Sequence, residues 1–482
     1  MKDKFDYLPK DKRKKILLLC DDIRMHSGIG TMGKEIVLQT SHHFNWVNIG
    51  AGINHPELGK ILDLSQDVNN HVGIDDSDVK VIPNNGYGTP ELLREVMKRE
   101  KPDALLIFTD PRYWIWLFEM EREIRTHIPI FYLNIWDDFP APMYNRPYYE
   151  SVDLLMAISK QTKLINELVL GDKRHEKTIT YVPHGINEKF FYPITTEMPE
   201  YGQFLDFKKR VYRDKDYDFV LFYNSRNIRR KCTADLLLGY RFFCDMIGEE
   251  KAKKCALILH TELVHDAGTD LMAVKNAFCD LEHINVLFST DKLNTQQINM
   301  LYNISDASIL TSANEGWGLS LTESMMTGRM IIANVTGGMQ DQLRFEDENG
   351  NWFEPSADIP SNHNGTYKKC GEWGIPIFPS CKTVIGSPPT PYIFEDHCTP
   401  EDIAKSILQV YNLPKEERSA RGMKGREWVL SDESGMSAKS MGKNIINSIN
   451  QGFTNFTPRP RFELVKVGKR ESTLIPHKLT NY

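Results

Sequence analysis

Three features of this 482-residue chain predict two doubly wound α/β domains in tandem. Short apolar runs alternate with helical stretches of about 10–15 residues, the pattern of βαβ units around a parallel sheet. The alternation occurs in two series. Between them, from Tyr192 to Asp218, the chain is polar and broken by Pro193 and Pro199, which places the junction there.

The first series opens with a strand at Ile16–Cys20, a polar glycine-bearing turn and a helix from about Thr31 to Gln39. Strands follow at Trp46–Ile49, Val79–Ile82, Ala104–Phe108, Ile130–Ile135 and Leu154–Ile158, with helices at Pro90–Arg99 and around Trp114–Ile124. The second series holds strands at Phe219–Phe222, Ala256–Leu259, Val286–Phe288, Ala307–Leu310 and Met330–Ala333. Its helices lie at Thr233–Ile247, Ile298–Asn303 and Pro400–Tyr411. The stretch 344–392 is rich in Pro, Gly and Asn and without period, so it reads as a long loop or insertion. In sheets of this kind ligands bind at the carboxyl ends of the strands, and with two lobes the cleft between them is the expected site.

Composition bounds the function. Apolar residues at 41% supply an ordinary core, and the net charge of −6 argues against a dedicated nucleic-acid coat. No run approaches the ~18 apolar residues of a membrane span, and the N-terminus lacks the apolar run of a secretory signal. Eight scattered cysteines without a C-x-x-C pair fit buried thiols of a reducing compartment. A soluble cytoplasmic protein is expected.

Three motifs carry chemistry. Ser27-Gly28-Ile29-Gly30-Thr31-Met32-Gly33-Lys34 follows the first strand and opens a helix. It fails as a dinucleotide fingerprint, because Asp21–Ser27 intervene and no acid lies near residue 50. It fails as a triphosphatase loop, because Glu35 stands where Ser or Thr would hold Mg²⁺. Two readings remain: backbone amides facing a phosphate at a helix N-terminus, or plain tight-turn glycines. The second motif places four cations, Arg226, Arg229, Arg230 and Lys231, directly after the strand Phe219–Phe222, at its carboxyl end. Such a run is either a solvated face or a phosphate clamp. The third is Ser312-Ala313-Asn314-Glu315-Gly316-Trp317-Gly318-Leu319, continuing to Glu323 and Gly328. Glu315 lies before a helix and Glu323 inside it, so each carboxylate can accept two hydrogen bonds from a diol, on two different rings.

These motifs, in this order, resemble those of the retaining glycosyltransferases of the GT-B fold, family-4 type, over roughly residues 14–455. Glu315-Gly316-Trp317-Gly318-Leu319 with Glu323-Ser324-Met325 and Gly328 is similar to that family's E-G-F-G-L-x-x-x-E-A-M-x-x-G. Arg226 and Lys231 have the spacing of its diphosphate clamp, and Val182-Pro183-His184-Gly185-Ile186-Asn187 resembles its I-P-N-G-V-D turn. Gly28-Ile29-Gly30, Ala157-Ile158-Ser159, Gly337-Gly338 and Glu395–Ile407 fit further segments.

The resemblance implies two Rossmann-like domains facing each other across a cleft. Residues 1–195 would bind an acceptor, 216–430 a nucleotide-sugar donor, and 431–455 would form a helix crossing back onto the first domain; 456–482 would be a basic tail. It implies that Glu323 holds the ribose diol, while Glu315 and the amides of Gly316, Trp317, Gly318 and Leu319 hold the transferred sugar. Arg226 and Lys231 would neutralise the leaving diphosphate, helped by the amides of Gly28 and Gly30. Two cations and helix-end amides suffice for catalysis without a metal. No metal site and no cofactor are expected, only a UDP- or GDP-sugar as co-substrate.

Where relatives carry a sugar-contacting His, this chain reads Trp136-Asp137-Asp138. Asp137 or Asp138 either replaces that His or, for Asp138, caps a turn. Trp114 and Trp116 read as core, and His184 as a buried, hydrogen-bonded turn residue. Tyr87, Tyr113, Trp136, Tyr144, Tyr148 and Tyr149 are candidates for stacking on ligand rings.

The expected activity is retaining, metal-independent transfer of a sugar from a nucleoside-diphosphate sugar to a hydroxyl of a glycan, lipid or small molecule. A DNA acceptor, a hydroxymethylated pyrimidine, is the first alternative; the basic ends, Lys2–Lys15 and Phe456–Tyr482, weakly favour it and the net charge of −6 weakly opposes it. Others are a phosphorylase- or epimerase-like enzyme and a non-catalytic glycan- or nucleic-acid-binding relative, the last disfavoured by the clamp.

Overall fold

A computed structural model of the protein describes residues 6–51, 56–359, 361–460 and 462. Two α/β units follow one another. The first contains eight strands: β1 (Lys14–Asp21), β2 (Phe44–Ala51), β3 (Leu62–Asp63), β4 (Val79–Pro83), β5 (Ala104–Ile107), β6 (Ile130–Asn134), β7 (Leu154–Ala157) and β8 (Thr178–Tyr181). They lie in the order β3-β4-β2-β1-β5-β6-β7-β8, all parallel except the short antiparallel edge β3. The second contains β9 (Phe219–Asn224), β10 (Cys255–His260), β11 (Asn285–Ser289), β12 (Ala307–Leu310), β13 (Met330–Asn334) and β14 (Gly374–Ile377), parallel throughout in the order β11-β10-β9-β12-β13-β14.

Central strands of such sheets are covered by helices on both faces, which is why they read as unbroken apolar runs. In β1, Ile16, Leu18 and Cys20 fill the core on one face of the sheet while Leu17 and Leu19 fill the other. The last helix among the described residues, Ala438–Asn455, packs on the helix Gly28–Thr40 and on β7 and β8 of the first unit. Close approach is possible because Gly442 and Gly452 lack side chains; a Cβ there would lie 2.8 Å from Gln39 and from Phe131. The chain thus crosses between the units twice. The crossings are tied together by Ile186 N–H to the Met436 carbonyl and Ala438 N–H to the Ile186 carbonyl, both 3.0 Å.

Three expectations are corrected. The stretch 344–392 is not simply a loop: it supplies β14, the edge of the second sheet, and most of a hairpin, β15 (Cys381–Ser387) paired with β16 (Thr390–His397). Pro376 is tolerated in β14 because an edge strand has a free side. The hairpin turns through Pro388-Pro389 and carries a bulge near Ile385, so it lacks both the Gly/Asn turn signal and clean alternation. The polar junction contains a helix, Tyr201–Tyr212, whose apolar side is Phe204, Phe207 and Tyr212. The helix expected at 114–124 is three short pieces, Pro111–Trp114, Ile115–Glu119 and Glu121–Arg125.

Candidate active site

The carboxyl ends of β9 and β12 deliver the central group. After β9 a 3₁₀ turn, Arg229–Lys231, turns Lys231 inward. After β12 the loop Thr311–Trp317 carries Glu315 to meet it. The Lys231 ammonium is ion-paired with the Glu315 carboxylate, and both side chains are about one-tenth exposed (10% and 11%). Arg230 Nη1 lies 3.4 Å from the same Glu315 oxygen and donates to the Asn314 carbonyl at 2.7 Å. Burial acts to raise the Glu315 pKa, but Lys231 and Arg230 outweigh it and hold the carboxyl down at about 2. Burial pulls the Lys231 pKa down, and Glu315 acts against that. The result is a preorganised knot of two cations and one anion, with Lys231 and Glu315 buried and Arg230 partly exposed, where charge interactions are stronger than in water.

Glycines allow this loop its shape. Gly337 sits at φ +52°, and a side chain there would overlap the Glu315 carbonyl, which accepts the Gly338 N–H at 3.0 Å. Gly318, at φ +88°, caps the helix Leu319–Met326. Trp317 is buried and donates from Nε1 to the Thr322 hydroxyl at 2.9 Å. At Gly316 the two units meet: an added Cβ would lie 3.0 Å from the Ile135 carbonyl and 3.8 Å from Asp137 Cβ.

Asp137 and Asp138 follow β6 on the first unit. Asp138 is buried and Asp137 partly so, and burial with the neighbouring Asp137 charge raises Asp138 well above the carboxylate range. Burial raises Asp137 too, but Arg230 opposes it. Burial thus pushes both carboxyls toward the protonated form, and Asp138 further than Asp137. No turn is capped by the Asp138 carboxyl: its Oδ1 is buried without a hydrogen bond, while its backbone carbonyl accepts from Trp136 Nε1 at 2.8 Å.

Two helix N-termini approach each other beside this group. A Cβ on Gly28, first residue of its helix, would lie 4.0 Å from Leu319, first residue of the other. The first amides of each helix have no intrahelical acceptor. Gly30 differs from the expectation, because its amide donates to the capping Ser27 hydroxyl at 2.9 Å. Its Cβ position lies 2.9 Å from the Asp22 and Met25 carbonyls, so Gly30 serves the tight turn.

Glu323, one turn inside the Leu319 helix, accepts a 2.5 Å hydrogen bond from the Tyr302 hydroxyl, which itself accepts from Asn224 Nδ2 at 3.1 Å. Burial pushes the Glu323 pKa up to about 7. Arg226 stands apart from the Lys231 knot. Its side chain is 66% exposed and lies near Glu262 (3.8 Å) and His265 (3.2 Å). Of the two cations left open between solvated face and clamp, Arg229 is exposed, whereas Arg230 turns inward.

His184 is buried between Phe108 and Trp317, but its Nδ1 has no hydrogen bond, so it is not the satisfied turn residue expected; burial lowers its pKa to about 4. Trp114 is core, and Tyr87 stacks on the exposed Tyr113 at 4.2 Å. Sequence reasoning missed Asp341, whose carboxylate accepts from the Lys160 N–H (2.9 Å) and the Tyr181 hydroxyl (3.0 Å) across the cleft. Its signal was a helix opening directly after Gly337-Gly338. The hairpin also reaches the first unit: Phe394 N–H donates to the Phe139 carbonyl (2.6 Å) and the Tyr144 hydroxyl to the Tyr392 carbonyl (3.0 Å).

Comparison with solved structures decides the architecture. Anabaena Alr3699/HepE, solved in complex with UDP and glucose, superposes with a TM-score of 0.59 at 13% identity, over 91% of this chain and 100% of that one. Sucrose-phosphate synthase (tll1590) from Thermosynechococcus elongatus gives 0.61 at 13% identity, over 92% and 100%. A glycosyltransferase from Rickettsia africae gives 0.60 at 15% identity, over 92% and 100%. The fold is GT-B. Within this GT-B chain, residues 268–361 match the family model of glycosyl transferases group 1. A comparison with curated proteins returned no match. Among the described residues no cluster of His, Cys, Asp or Glu is arranged to hold a metal ion, and no helix is long and apolar enough to cross a membrane. Most of the basic C-terminal stretch, 463–482, lies outside the described residues, as do residues 1–5 of the basic start.

Proposed function

We propose that the protein is a retaining glycosyltransferase that moves a sugar from a nucleoside-diphosphate sugar, with UDP or GDP as the nucleotide, to a hydroxyl acceptor. The observation that carries this reading is the Lys231–Glu315–Arg230 knot at the domain cleft, with its Lys231–Glu315 pair buried, beside two facing helix N-termini. A folding core has little use for it, since buried ion pairs contribute little net stability. A diphosphate has direct use for the two cations and the free amides. The structure of Anabaena HepE with UDP and glucose supports a UDP donor by analogy of fold.

In this reading the diphosphate draws on Lys231 and Arg230, with Arg226 at the mouth and the amides of Gly28 and Leu319 at the helix ends. Glu323 accepts from the ribose diol. Glu315, with the loop Gly316–Gly318, holds hydroxyls of the transferred sugar, and the Asp137–Asp138 pair faces it from the first unit. The acceptor oxygen bonds to the anomeric carbon as the carbon–phosphate-oxygen bond breaks. The acceptor's proton passes to the departing diphosphate oxygen on the same face, which preserves configuration. Lys231 and Arg230 stabilise the developing charge, so no metal is required of the reaction.

The test is a panel of UDP- and GDP-sugars in thermal-shift and radiolabel-transfer assays. A ligand at ~100 times its dissociation constant adds ~2.7 kcal/mol of stability. A selective shift by one donor, lost in Lys231→Ala, supports the reading. No shift by any nucleotide at millimolar concentration refutes it.

A further inference from the structure

A cavity of about 400 Å³ lies between residues 358–359 and 362–366 on one side and the root of the hairpin on the other, outside the Lys231 knot. Its size is at the lower end of small-molecule sites, ~300–1,000 Å³. Two of its polar side chains are almost fully buried, 1% exposed each, and incompletely bonded. One is His363. Its Nδ1 accepts the Tyr367 N–H at 3.3 Å, so the neutral ring carries its proton on Nε2, which is buried without an acceptor. The other is Asp396. Its Oδ2 accepts from the Thr336 hydroxyl at 2.8 Å, while Oδ1 is buried without a hydrogen-bond donor. Lys382 Nζ stands 3.7 Å from that oxygen and donates to the Ser361 hydroxyl at 2.7 Å.

Orphaned buried polar atoms are uncommon in native proteins and call for an explanation. Here an unmatched donor and an unmatched acceptor belong to two residues that line one cavity, beside the ammonium of Lys382, which already donates to Ser361. Its charged lining is Asp358, Asp396 and Lys382, a balance of −1 that disfavours phosphates and polyanions. Neighbouring hydroxyls satisfy such a set, because each gives one proton and accepts another. The cavity also shares a wall with the sugar-holding loop. Asp396 N–H donates to the Ala313 carbonyl at 2.8 Å, two residues before Glu315, and Thr336 precedes Gly337.

We infer that this cavity is a subsite for a sugar unit of the acceptor, with Asp396, His363 and Lys382 as its recognition groups. The inference deepens the transferase reading, on which its acceptor role rests, by making the acceptor a saccharide rather than DNA. Saccharide binding itself is testable without nucleotide.

Common hexoses, N-acetylhexosamines and their disaccharides are titrated onto the full chain by saturation-transfer NMR, alongside UDP- and GDP-sugars by calorimetry. At least one saccharide should bind in the millimolar range or tighter. Lys382→Ala, at a half-buried side chain, and the conservative Asp396→Asn should each weaken it at least tenfold and leave nucleotide-sugar binding unchanged. In transfer assays Lys382→Ala should raise the KM for that saccharide with kcat and donor KM retained. If no saccharide binds, or both variants bind it as the wild type does, the subsite is overturned. An unchanged acceptor KM in Lys382→Ala overturns its acceptor role. If saccharide binding is lost in the variants but no nucleotide binds the wild type, the subsite stands and the transferase reading falls.

Discussion

Glu323 offers a test in which the sign and size of a pH effect follow from its surroundings. Its carboxyl is raised to about 7 by burial, with the Tyr302 hydroxyl acting the other way. A carboxylate accepts two hydrogen bonds from a ribose diol, whereas a protonated carboxyl is a poorer acceptor for both. Donor affinity should therefore rise as pH rises through 7. With that midpoint the group is about 90% ionised at pH 8 and about 3% at pH 5.5. If only the ionised form binds fully, the dissociation constant falls by up to ~30-fold over that range, about 2 kcal/mol.

The assay is calorimetry with UDP-glucose and GDP-mannose from pH 5.5 to 8. Nucleotide sugars suit it because, unlike free diphosphates, they carry no terminal phosphate that titrates in this range. Asp341, also raised to about 7 by burial, titrates in the same window, so Glu323→Gln is the necessary control. That variant should bind weakly and with a flat profile. A wild-type constant that does not move with pH, or a Glu323→Gln slope equal to the wild type's, would refute Glu323 as the ribose acceptor.

Other expectations are quicker to state. Lys231→Ala should lower kcat by ~10²–10³-fold in a steady-state assay, the cost of losing one preorganised group that stabilises leaving-group charge. Its melting temperature should fall only modestly, because Arg230 remains beside Glu315. Because the folded pKa of Glu323 lies above its ordinary value, folding is favoured at low pH and loses that advantage as pH rises from about 4.5 through about 7. Glu323→Gln should thus gain ~1–2 kcal/mol at pH 8 by denaturant titration while losing donor affinity. Gly337→Ala should cost ~2 kcal/mol or more and abolish transfer, since it forces the loop off the Glu315 carbonyl; rescue by a second-site glycine would not be expected. Gly316→Ala, which pushes against Ile135 and Ile158, should leave nucleotide binding by the second unit nearly intact and depress kcat.

Much of this architecture was legible because its central strands are buried on both faces, and burial writes itself as apolar runs. β1, β9 and β12 were visible for that reason. β14 and the hairpin were not, because an edge strand accommodates Pro376 and the largely exposed first strand of the hairpin needs no apolar alternation. At the site, Glu315, Lys231 and Glu323 could be named from motif order, and the structure brings the first two into contact. Arg230 was left open between clamp and solvated face because sequence alone cannot say how a 3₁₀ turn rotates neighbouring cations: Arg229 points out, while Arg230 and Lys231 point in. Gly30 shows the converse limit, since a glycine-rich loop looks the same whether its amides are offered to a ligand or spent on a cap. Asp341 depends on contacts between distant segments, Lys160 and Tyr181, that no local pattern records.

The hairpin that spans from the second unit to the first bears on how fast anything enters. Lifting its end from the first unit breaks the Phe394–Phe139, Tyr144–Tyr392 and Met143–Tyr392 hydrogen bonds and uncovers the partly buried Ile393 and Phe394. Those losses sum to roughly 3–5 kcal/mol. Only about one molecule in a few hundred to a few thousand is then open at a given moment. If ligands enter through that open form, their association is gated, and the observed on-rate falls below the diffusive value by the same factor. Shortening the hairpin would then speed both entry and exit of ligand, leaving its affinity less altered than its residence time.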